Sequence, residues 1–286
     1  MTDIAIIGGG PAGLSAAINA RIRNKTVLLV TNDYKDSYLA KAERVDNYLG
    51  LPGLGGQELM EQFRKHAESQ GVEEVNKRVI SVMPMGESFF LSYESEVAEA
   101  KTIILTTGVV PAGKLPGEGE FLGKGVSYCA TCDGMLYRGR KVVVVGKSAD
   151  AVEEANYLHE IGCQVTFVAD KEGTRGLAEG VELVTAKRLE IRGDKAAEAL
   201  IADGREIPAD GIFILRQAIS PQDIMQGIQV ENGSIVTNKR METSIPGVFA
   251  AGDCTGRPYQ IAKAVGEGQV AALYAAEYID KMKKEN

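Results

Sequence analysis

The sequence predicts an α/β protein with two β-turn-α-β units of the doubly wound type. In each unit a short apolar run is followed by a turn, a helical segment and another apolar run, a pattern typical of buried strands in a parallel sheet. The first unit comprises Ile4–Ile7, Gly8–Gly13, Leu14–Ile22 and Val27–Val30. The second comprises Lys141–Gly146, a turn, a helix over Ala149–Ile161 and Val165–Val168.

Composition and charge exclude several classes of protein. The 286 residues are 44% hydrophobic and 25% charged, as in ordinary globular proteins. The net charge of −7 argues against nucleic-acid binding, which needs a basic surface. No apolar run reaches the roughly 20 residues of a membrane span, and the first residues do not resemble a signal peptide. We therefore expect a cytoplasmic protein with no membrane partner.

The first turn predicts a dinucleotide site. Gly8, Gly10 and Gly13 form a G-x-G-x-x-G motif between strand and helix, with Pro11 and Ala12 inside it. Such glycines allow a tight turn and let the backbone approach a pyrophosphate at the helix N-terminus. An acidic residue usually ends the second strand and binds a ribose. Here Thr31 and Asn32 stand at that place, and their side chains are the candidate ribose ligands.

The remaining elements follow from apolar runs and helical spacing. A helix is expected from Gly55 to Gly71, and a linker over the Pro- and Gly-rich segment 111–119. Further strands are expected at Val79–Val82, Phe89–Tyr93, Ile103–Leu105, Ile212–Leu215, Gly233–Val236 and Val248–Asp253. A long helix from Gln260 to Lys281 closes the chain.

Cys129 and Cys132 form a C-x-x-C pair followed directly by Asp133. Such a pair is half of a zinc site, a redox disulfide or two unrelated thiols. Zinc needs a second ligand pair, whereas Cys163 and Cys254 stand alone and the only histidines are His66 and His159. The spacing favours a redox couple and often lowers the pKa of one thiol. Asp133 is placed to exchange a proton with a sulfur.

The second turn departs from a dinucleotide site. Lys147 and Ser148 occupy positions where glycines would let phosphate approach, and Asp150 adds negative charge. The following strand ends in Ala169–Lys171, without the arginines that bind the 2′-phosphate of NADPH. The Asp170 carboxylate could accept hydrogen bonds from the ribose of NADH, so the end of this strand argues mainly against NADPH. The missing glycines in the turn argue against both nucleotides.

Over essentially its whole length the sequence resembles the low-molecular-weight thioredoxin reductases. The resemblance rests on Gly8–Gly13, Cys129–Asp133 and Thr243–Asp253. It implies two Rossmann-like, three-layer domains, the second inserted in the first. Residues 1–112 and 242–286 would then bind FAD, and residues 113–241 would form a pyridine-nucleotide-type domain that carries the cysteine pair. Members of this family usually form homodimers, so the resemblance implies a homodimer.

The resemblance also implies individual roles. Gly252 and Asp253 would contact the ribityl chain of FAD, and Gln260 and Ile261 its isoalloxazine ring. Asn47, Thr107 and Gly108 match positions beside the flavin. Cys132 would face the flavin, Cys129 would exchange with thioredoxin, and Asp133 would handle the accompanying proton.

The broken second turn makes the sequence similar to the ferredoxin-dependent flavin thioredoxin reductases. The expected function is therefore electron transfer from reduced ferredoxin through FAD and Cys129/Cys132 to thioredoxin. The alternatives are an NADPH- or NADH-dependent reductase and a non-catalytic flavin redox sensor. Two groups of basic residues are candidates for docking ferredoxin, with the first favoured: Lys35, Lys41 and Arg44, and Lys124, Arg138, Arg140, Lys141 and Lys147.

Overall fold

The structure is a computed structural model that describes residues 1–32, 37, 39–94, 96–109, 114–148, 151–170, 175–216 and 220–285, apart from the side chains of residues 132, 284 and 285. It divides into two compact units. The first consists of Met1–Pro111 and Ala218–Asn286, and the second of Ala112–Gln217. Each unit is described here by itself.

The N-terminal part of the first unit alternates strands and helices as expected. Its elements are β1 (Thr2–Ile7), α1 (Pro11–Ile22), β2 (Val27–Thr31), α2 (Gly56–Ser69), β3 (Glu74–Asn76), β4 (Val79–Met85), β5 (Ser88–Tyr93) and β6 (Glu96–Leu105). Helix α1 begins at Pro11 rather than at the predicted Leu14, because proline has no N–H to lose in a first helical turn and its fixed φ suits that position.

The second unit contains more strands than expected. Its elements are α3 (Glu118–Phe121), β7 (Val126–Ser127), α4 (Ala130–Asp133), a 3₁₀ turn (Gly134–Tyr137), β8 (Lys141–Lys147), α5 (Ala151–Glu160), β9 (Gln164–Ala169), β10 (Glu182–Thr185), β11 (Leu189–Gly193), β12 (Ala197–Ala202), β13 (Arg205–Pro208) and β14 (Gly211–Arg216). The linker prediction is wrong for residues 118–119, because they lie in α3, where the side chain of Glu118 is buried.

The chain then returns to the first unit with α6 (Pro221–Ile224), β15 (Val230–Glu231), β16 (Ser234–Ile235), β17 (Val248–Ala250), a 3₁₀ turn (Asp253–Thr255) and α7 (Ile261–Glu285). Helix α6 packs against β4. Residues 220–241 therefore belong with the first unit, whereas the sequence places the second domain boundary near 242. The assignment of the units to FAD and to a former nucleotide site stays a prediction.

The sheet of the first unit has the order β3-β2-β1-β6-β5-β4, and β17 also pairs with β6. Strands β1, β2, β3, β6 and β17 are parallel, while β4 and β5 pair antiparallel. Helices α1 and α7 contribute small buried residues to the core over this sheet: Ala16, Ala17, Ala20, Ala271, Ala272 and Ala275. The carboxyl ends of β2, β1, β6 and β17 therefore lie along one edge.

The second unit has a five-stranded parallel sheet, β10-β9-β8-β14-β7, and a three-stranded antiparallel sheet, β11-β12-β13. Alternate valines of β8 point to opposite sides: Val142 and Val144 pack with α5, and Val143 and Val145 with the antiparallel sheet. The parallel sheet is thus covered on both faces, as its uninterrupted apolar strands require. Among the described residues, no helix is long and apolar enough to cross a membrane.

Candidate active site

The glycine turn lies between β1 and α1 and packs tightly against its own backbone and against the end of β6. A Cβ at Gly13 would lie 1.8 Å from the Gly8 carbonyl oxygen, and one at Gly8 would lie 2.3 Å from the Thr106 carbonyl oxygen. Gly8 also has φ +115°, which disfavours any other residue. A Cβ at Gly10, in contrast, would meet nothing within 4 Å. The turn is therefore held close to the sheet and is open where a phosphate would approach.

Two threonines at strand ends hold this turn in place. The Gly9 N–H donates to Thr31 Oγ1 at 3.0 Å, and the Thr31 hydroxyl donates to the Asn32 carbonyl at 2.9 Å. Thr106 Oγ1 lies 2.8 Å from the Gly8 carbonyl oxygen. The Thr31 hydroxyl, predicted to reach a ribose, is thus engaged with the turn itself, and Asn32 directly follows it.

The predicted residues after β6 and β17 reach the same edge of the sheet. Thr107 Oγ1 is buried and has no hydrogen-bond partner among the described residues. Gly108 has φ +71° and open space where a Cβ would stand. Asp253 follows Gly252 at the end of β17 and is half-buried, and its carboxylate accepts no hydrogen bond within the described chain. Burial raises the pKa of Asp253, and nearby Lys263 opposes that rise.

A hydrogen bond connects the side-chain amides of Asn47 and Gln260, which are far apart in sequence. The Asn47 amide donates to Gln260 Oε1 at 2.9 Å, and α7 starts at the next residue, Ile261. Both amides are exposed, so they remain accessible to a ligand.

These features fit a bound FAD. The open face at Gly10 suits a pyrophosphate, and the α1 N-terminus supplies a favourable field for it. The unpaired Thr107 hydroxyl and Asp253 carboxylate are polar groups that a ligand with hydroxyls and ring nitrogens would satisfy. The assignment of the individual predicted residues to contacts with FAD stays a prediction.

The cysteine pair lies in the second unit at the end of β7. Cys129 is disulfide-bonded and buried, with 3% of its surface exposed, and the Cys132 side chain lies outside the described part of the structure. Ser127 joins this segment to Asp133: its hydroxyl donates to Asp133 Oδ2 at 2.7 Å and accepts from the Cys129 N–H at 3.1 Å. The Ala130 N–H donates to Glu154 Oε2 at 3.0 Å.

The other two cysteines are free and buried. Burial raises the pKa of the Cys163 thiol and raises the pKa of Cys254 to about 11. Both therefore stay protonated near neutral pH. Among the side chains that the structure describes, which do not include Cys132, no group of cysteine, histidine or acidic residues is placed to hold a metal ion.

The carboxyl edge of the second parallel sheet is occupied by charged side chains. Arg216 ends β14 beside Lys147 on β8, and it donates to Glu118 Oε2 at 2.5 Å. Glu118 is fully buried and also accepts from the Tyr128 hydroxyl at 2.8 Å and the Leu115 N–H at 2.7 Å. Burial, and then Arg216, lowers the pKa of Lys147.

Two described residues that lead into the turn after β8 also contact their neighbours. The Ser148 hydroxyl donates to the Leu215 carbonyl at 3.2 Å, and a Cβ at Gly146 would lie 2.2 Å from the Phe167 ring. Asp150 and Lys171 lie outside the described residues. Sequence reasoning missed Glu118 and Arg216; the only signal was a basic residue directly after the buried strand Ile212–Leu215.

Comparison with known proteins gives concordant matches. The family described as pyridine nucleotide-disulphide oxidoreductase matches residues 2–268. A thioredoxin reductase of Bacillus subtilis (strain 168) is 32% identical, over 99% of this chain and 96% of the relative. A solved ferredoxin-flavin thioredoxin reductase from Clostridium acetobutylicum is 45% identical, with a TM-score of 0.94 over 99% of this chain and 98% of that one.

A solved thioredoxin reductase from Gloeobacter violaceus is 30% identical, with a TM-score of 0.86 over 99% of this chain and 95% of that one. The B. subtilis and the G. violaceus relatives are both described as thioredoxin reductases, with no mention of ferredoxin. The matches extend over nearly the whole sequence and agree with the two α/β units and the glycine turn. The chain therefore belongs to the pyridine nucleotide-disulphide oxidoreductase family and is an FAD flavoprotein, a disulfide reductase of the low-molecular-weight thioredoxin reductase type.

Proposed function

We propose that this reductase takes single electrons from two reduced ferredoxins and delivers them as a pair, through FAD and Cys129/Cys132, to the disulfide of thioredoxin. Two protons are taken up as the thioredoxin disulfide becomes a dithiol, so electrons and atoms balance. FAD, when bound, supplies the chemistry that accepts electrons singly and releases them in pairs.

One observation supports the choice of donor: charged side chains stand at the carboxyl edge of the second sheet, where Arg216 at the end of β14 pairs with buried Glu118. Dinucleotides bind in doubly wound folds outside the carboxyl ends of the strands. There the side chains of Lys147 and Arg216 stand beside one another, and Ser148 is tied to the end of β14. The similarity to the ferredoxin-flavin reductase of C. acetobutylicum agrees with this proposal.

In the first unit, the chain's own residues bind and orient the cofactor. Gly8–Gly13 and the α1 N-terminus would receive the pyrophosphate. Thr107, Gly108, Gly252 and Asp253 would line its flavin half, with Asn47, Gln260 and Ile261 beside the ring. Thr31 would act by holding the glycine turn, and Asn32 would face the adenosine end.

In the second unit, we assign Cys132 to the flavin side and Cys129 to exchange with thioredoxin. Because Cys129 is 3% exposed, it must become more accessible before its sulfur can attack the disulfide of thioredoxin. Asp133, whose carboxylate accepts from the Ser127 hydroxyl, would exchange the proton that accompanies thiolate release. Met135 and Leu136 follow directly and are 56% and 70% exposed, which suits the docking of a partner protein with an apolar surface beside its disulfide.

Ferredoxins are commonly acidic, so docking on this acidic chain needs a local basic surface. Of the favoured group, Lys35 lies outside the described residues. Arg44 is 69% exposed and pairs with Asp46 at 2.8 Å, a contact worth about 0–1 kcal/mol that a partner can replace. Charge reversal at Arg44 tests this surface by its effect on the rate of reduction by ferredoxin.

The second candidate function is an ordinary NADPH- or NADH-dependent thioredoxin reductase. It is favoured by the relatives described simply as thioredoxin reductases. The second unit also has the parallel sheet of a dinucleotide-binding fold and a glycine, Gly146, near the end of β8.

Anaerobic reduction of the flavin separates the two functions. Bleaching of the flavin band is followed after mixing with reduced ferredoxin, NADPH, NADH or dithionite. We expect rapid bleaching by ferredoxin and dithionite and little by either nucleotide. Bleaching by dithionite but not by ferredoxin would defeat the proposed donor, and rapid bleaching by a nucleotide would establish the alternative.

A further inference from the structure

A charged pair at the start of α7 has no role in the reaction described so far. Lys263 and Glu267 lie one helical turn apart, with Nζ 3.2 Å from Oε2, and their side chains are only 18% and 21% exposed. The first turn of α7 contains no acidic residue, so Lys263 stands where the helix dipole disfavours a cation. Burial of its ammonium group adds a further cost. Its position therefore needs compensating contacts.

Those contacts all go to the turn at residues 252–256. Lys263 Nζ donates to the Gly252 carbonyl at 2.9 Å and to the Gly256 carbonyl at 2.7 Å, and it lies 3.1 Å from Thr255 Oγ1. Glu267 Oε2 accepts from the Gly252 N–H at 2.9 Å and lies 2.9 Å from the same threonine hydroxyl. One partly buried ion pair thus binds both ends of a single turn.

The turn carries Asp253 and has little intrinsic conformational preference. Gly252 and Gly256, which flank it, have φ +87° and +106°, values that glycine adopts at low cost but that fix nothing by themselves. Gly252 also touches the glycine turn of α1, since a Cβ there would lie 2.8 Å from the Ala12 Cβ. Side chains of α7 therefore contribute to holding the turn that carries Asp253, together with the backbone hydrogen bonds of the turn itself.

We propose that Lys263 and Glu267 are positioning residues for FAD: they hold the 252–256 turn so that the Asp253 carboxylate faces the cofactor. The inference rests on the proposed contact between Asp253 and FAD. Burial raises the pKa of Asp253; the Lys263 ammonium group opposes this rise, and the Glu267 carboxylate adds to it.

The test measures the affinity of the apoprotein for FAD. Lys263→Met removes the charge with similar bulk, Glu267→Gln keeps the shape, and Lys263→Arg keeps the charge. Lys281→Met is the matched control, because Lys281 pairs with Glu277 at the same spacing on the same helix but is 61% exposed. Dissociation constants come from quenching of FAD fluorescence, and circular dichroism checks the fold of each apoprotein.

We expect Lys263→Met to weaken FAD binding about 10- to 100-fold and Glu267→Gln about 3- to 10-fold, since hydrogen bonds to charged groups are lost. Lys263→Arg should stay within about 3-fold of the parent and Lys281→Met should not differ from it, because neither change removes a contact to the turn. If Lys263→Met does not fold without FAD, Glu267→Gln and Lys263→Arg carry the comparison.

Asp253→Ala separates the inference from its premise. If Asp253→Ala binds FAD as tightly as the parent, the proposed role of Asp253 fails, and with it the inference. If Asp253→Ala weakens binding while Lys263→Met and Glu267→Gln do not, the inference alone is overturned. Equal losses in the thermal midpoints of the apoprotein and the FAD complex, with unchanged FAD affinity, would reveal a merely structural pair and would also overturn it.

Discussion

The two β-turn-α-β units have the same local topology, but they differ in the side chains at the carboxyl edges of their sheets. In the first, Gly10 faces open space and the hydroxyl of Thr107 has no partner among the described residues. In the second, the corresponding edge carries Arg216 bound to buried Glu118, and Ser148 bonds to β14. On the proposed function, a few side chains in the turn and at strand ends, rather than the topology, decide whether such an edge accepts a nucleotide.

The largest expected effect concerns the cysteine pair of the second unit. Cys129→Ser and Cys132→Ser should both abolish thioredoxin reduction, because a disulfide needs two sulfurs, and both proteins should stay yellow. With a thioredoxin that lacks its resolving cysteine, Cys132→Ser should form a mixed disulfide and Cys129→Ser should not, as gel shift under non-reducing conditions would show. The reverse pattern would exchange the roles of the two cysteines.

A matched pair of glycine substitutions compares the two turns directly. Gly13→Ala should lose FAD, because its Cβ would lie 1.8 Å from the Gly8 carbonyl oxygen and the turn must shift. Gly146→Ala, whose Cβ would lie 2.2 Å from the Phe167 ring, should destabilise the protein by about 1–3 kcal/mol but retain a normal flavin content. The ratio of flavin absorbance to protein absorbance measures both. Loss of flavin in Gly146→Ala would contradict the assignment of FAD binding to the first unit.

Ion pairs at the two units should differ in strength. Arg216→Ala should lower the free energy of unfolding by about 3–5 kcal/mol, because it leaves the buried Glu118 carboxylate unpaired. Arg44→Ala in the first unit, whose pair with Asp46 is exposed, should change it by about 0–1 kcal/mol. Denaturant unfolding of the two variants, followed by circular dichroism, provides the measurement. Equal effects would show that the Arg216–Glu118 pair does not hold the second edge together.

The smallest effect concerns the buried thiol beside Asp253. Because the pKa of Cys254 is raised to about 11, the folded protein holds this proton more tightly than the unfolded chain does. Its contribution to stability is therefore complete below about pH 9 and is lost as the pH rises through about 11. Cys254→Ala should show a shallower loss of unfolding free energy between pH 9 and 10.5 than the parent. Parallel pH profiles would count against the raised pKa.

The sequence predicts the first unit well because its signals are local. The glycine spacing, the apolar strands and the residues at strand ends each report on a few neighbouring positions, and parallel strands bring their carboxyl ends together. The antiparallel sheet β11-β12-β13 was missed because its short strands mix charged and small residues. The Glu118–Arg216 contact was missed because it joins residues far apart in the chain, one of them in a segment rich in glycine and proline.

The central claim is that the second edge no longer binds a nicotinamide nucleotide, and equilibrium binding tests it most directly. The oxidised holoprotein is titrated with NADP⁺ and NAD⁺ in a calorimeter, so that no electron transfer is needed for a signal. Two or three defects of about 1–3 kcal/mol each would move a micromolar site to millimolar or weaker. We therefore predict no measurable binding at micromolar concentrations, whereas a micromolar dissociation constant for either nucleotide would contradict the account.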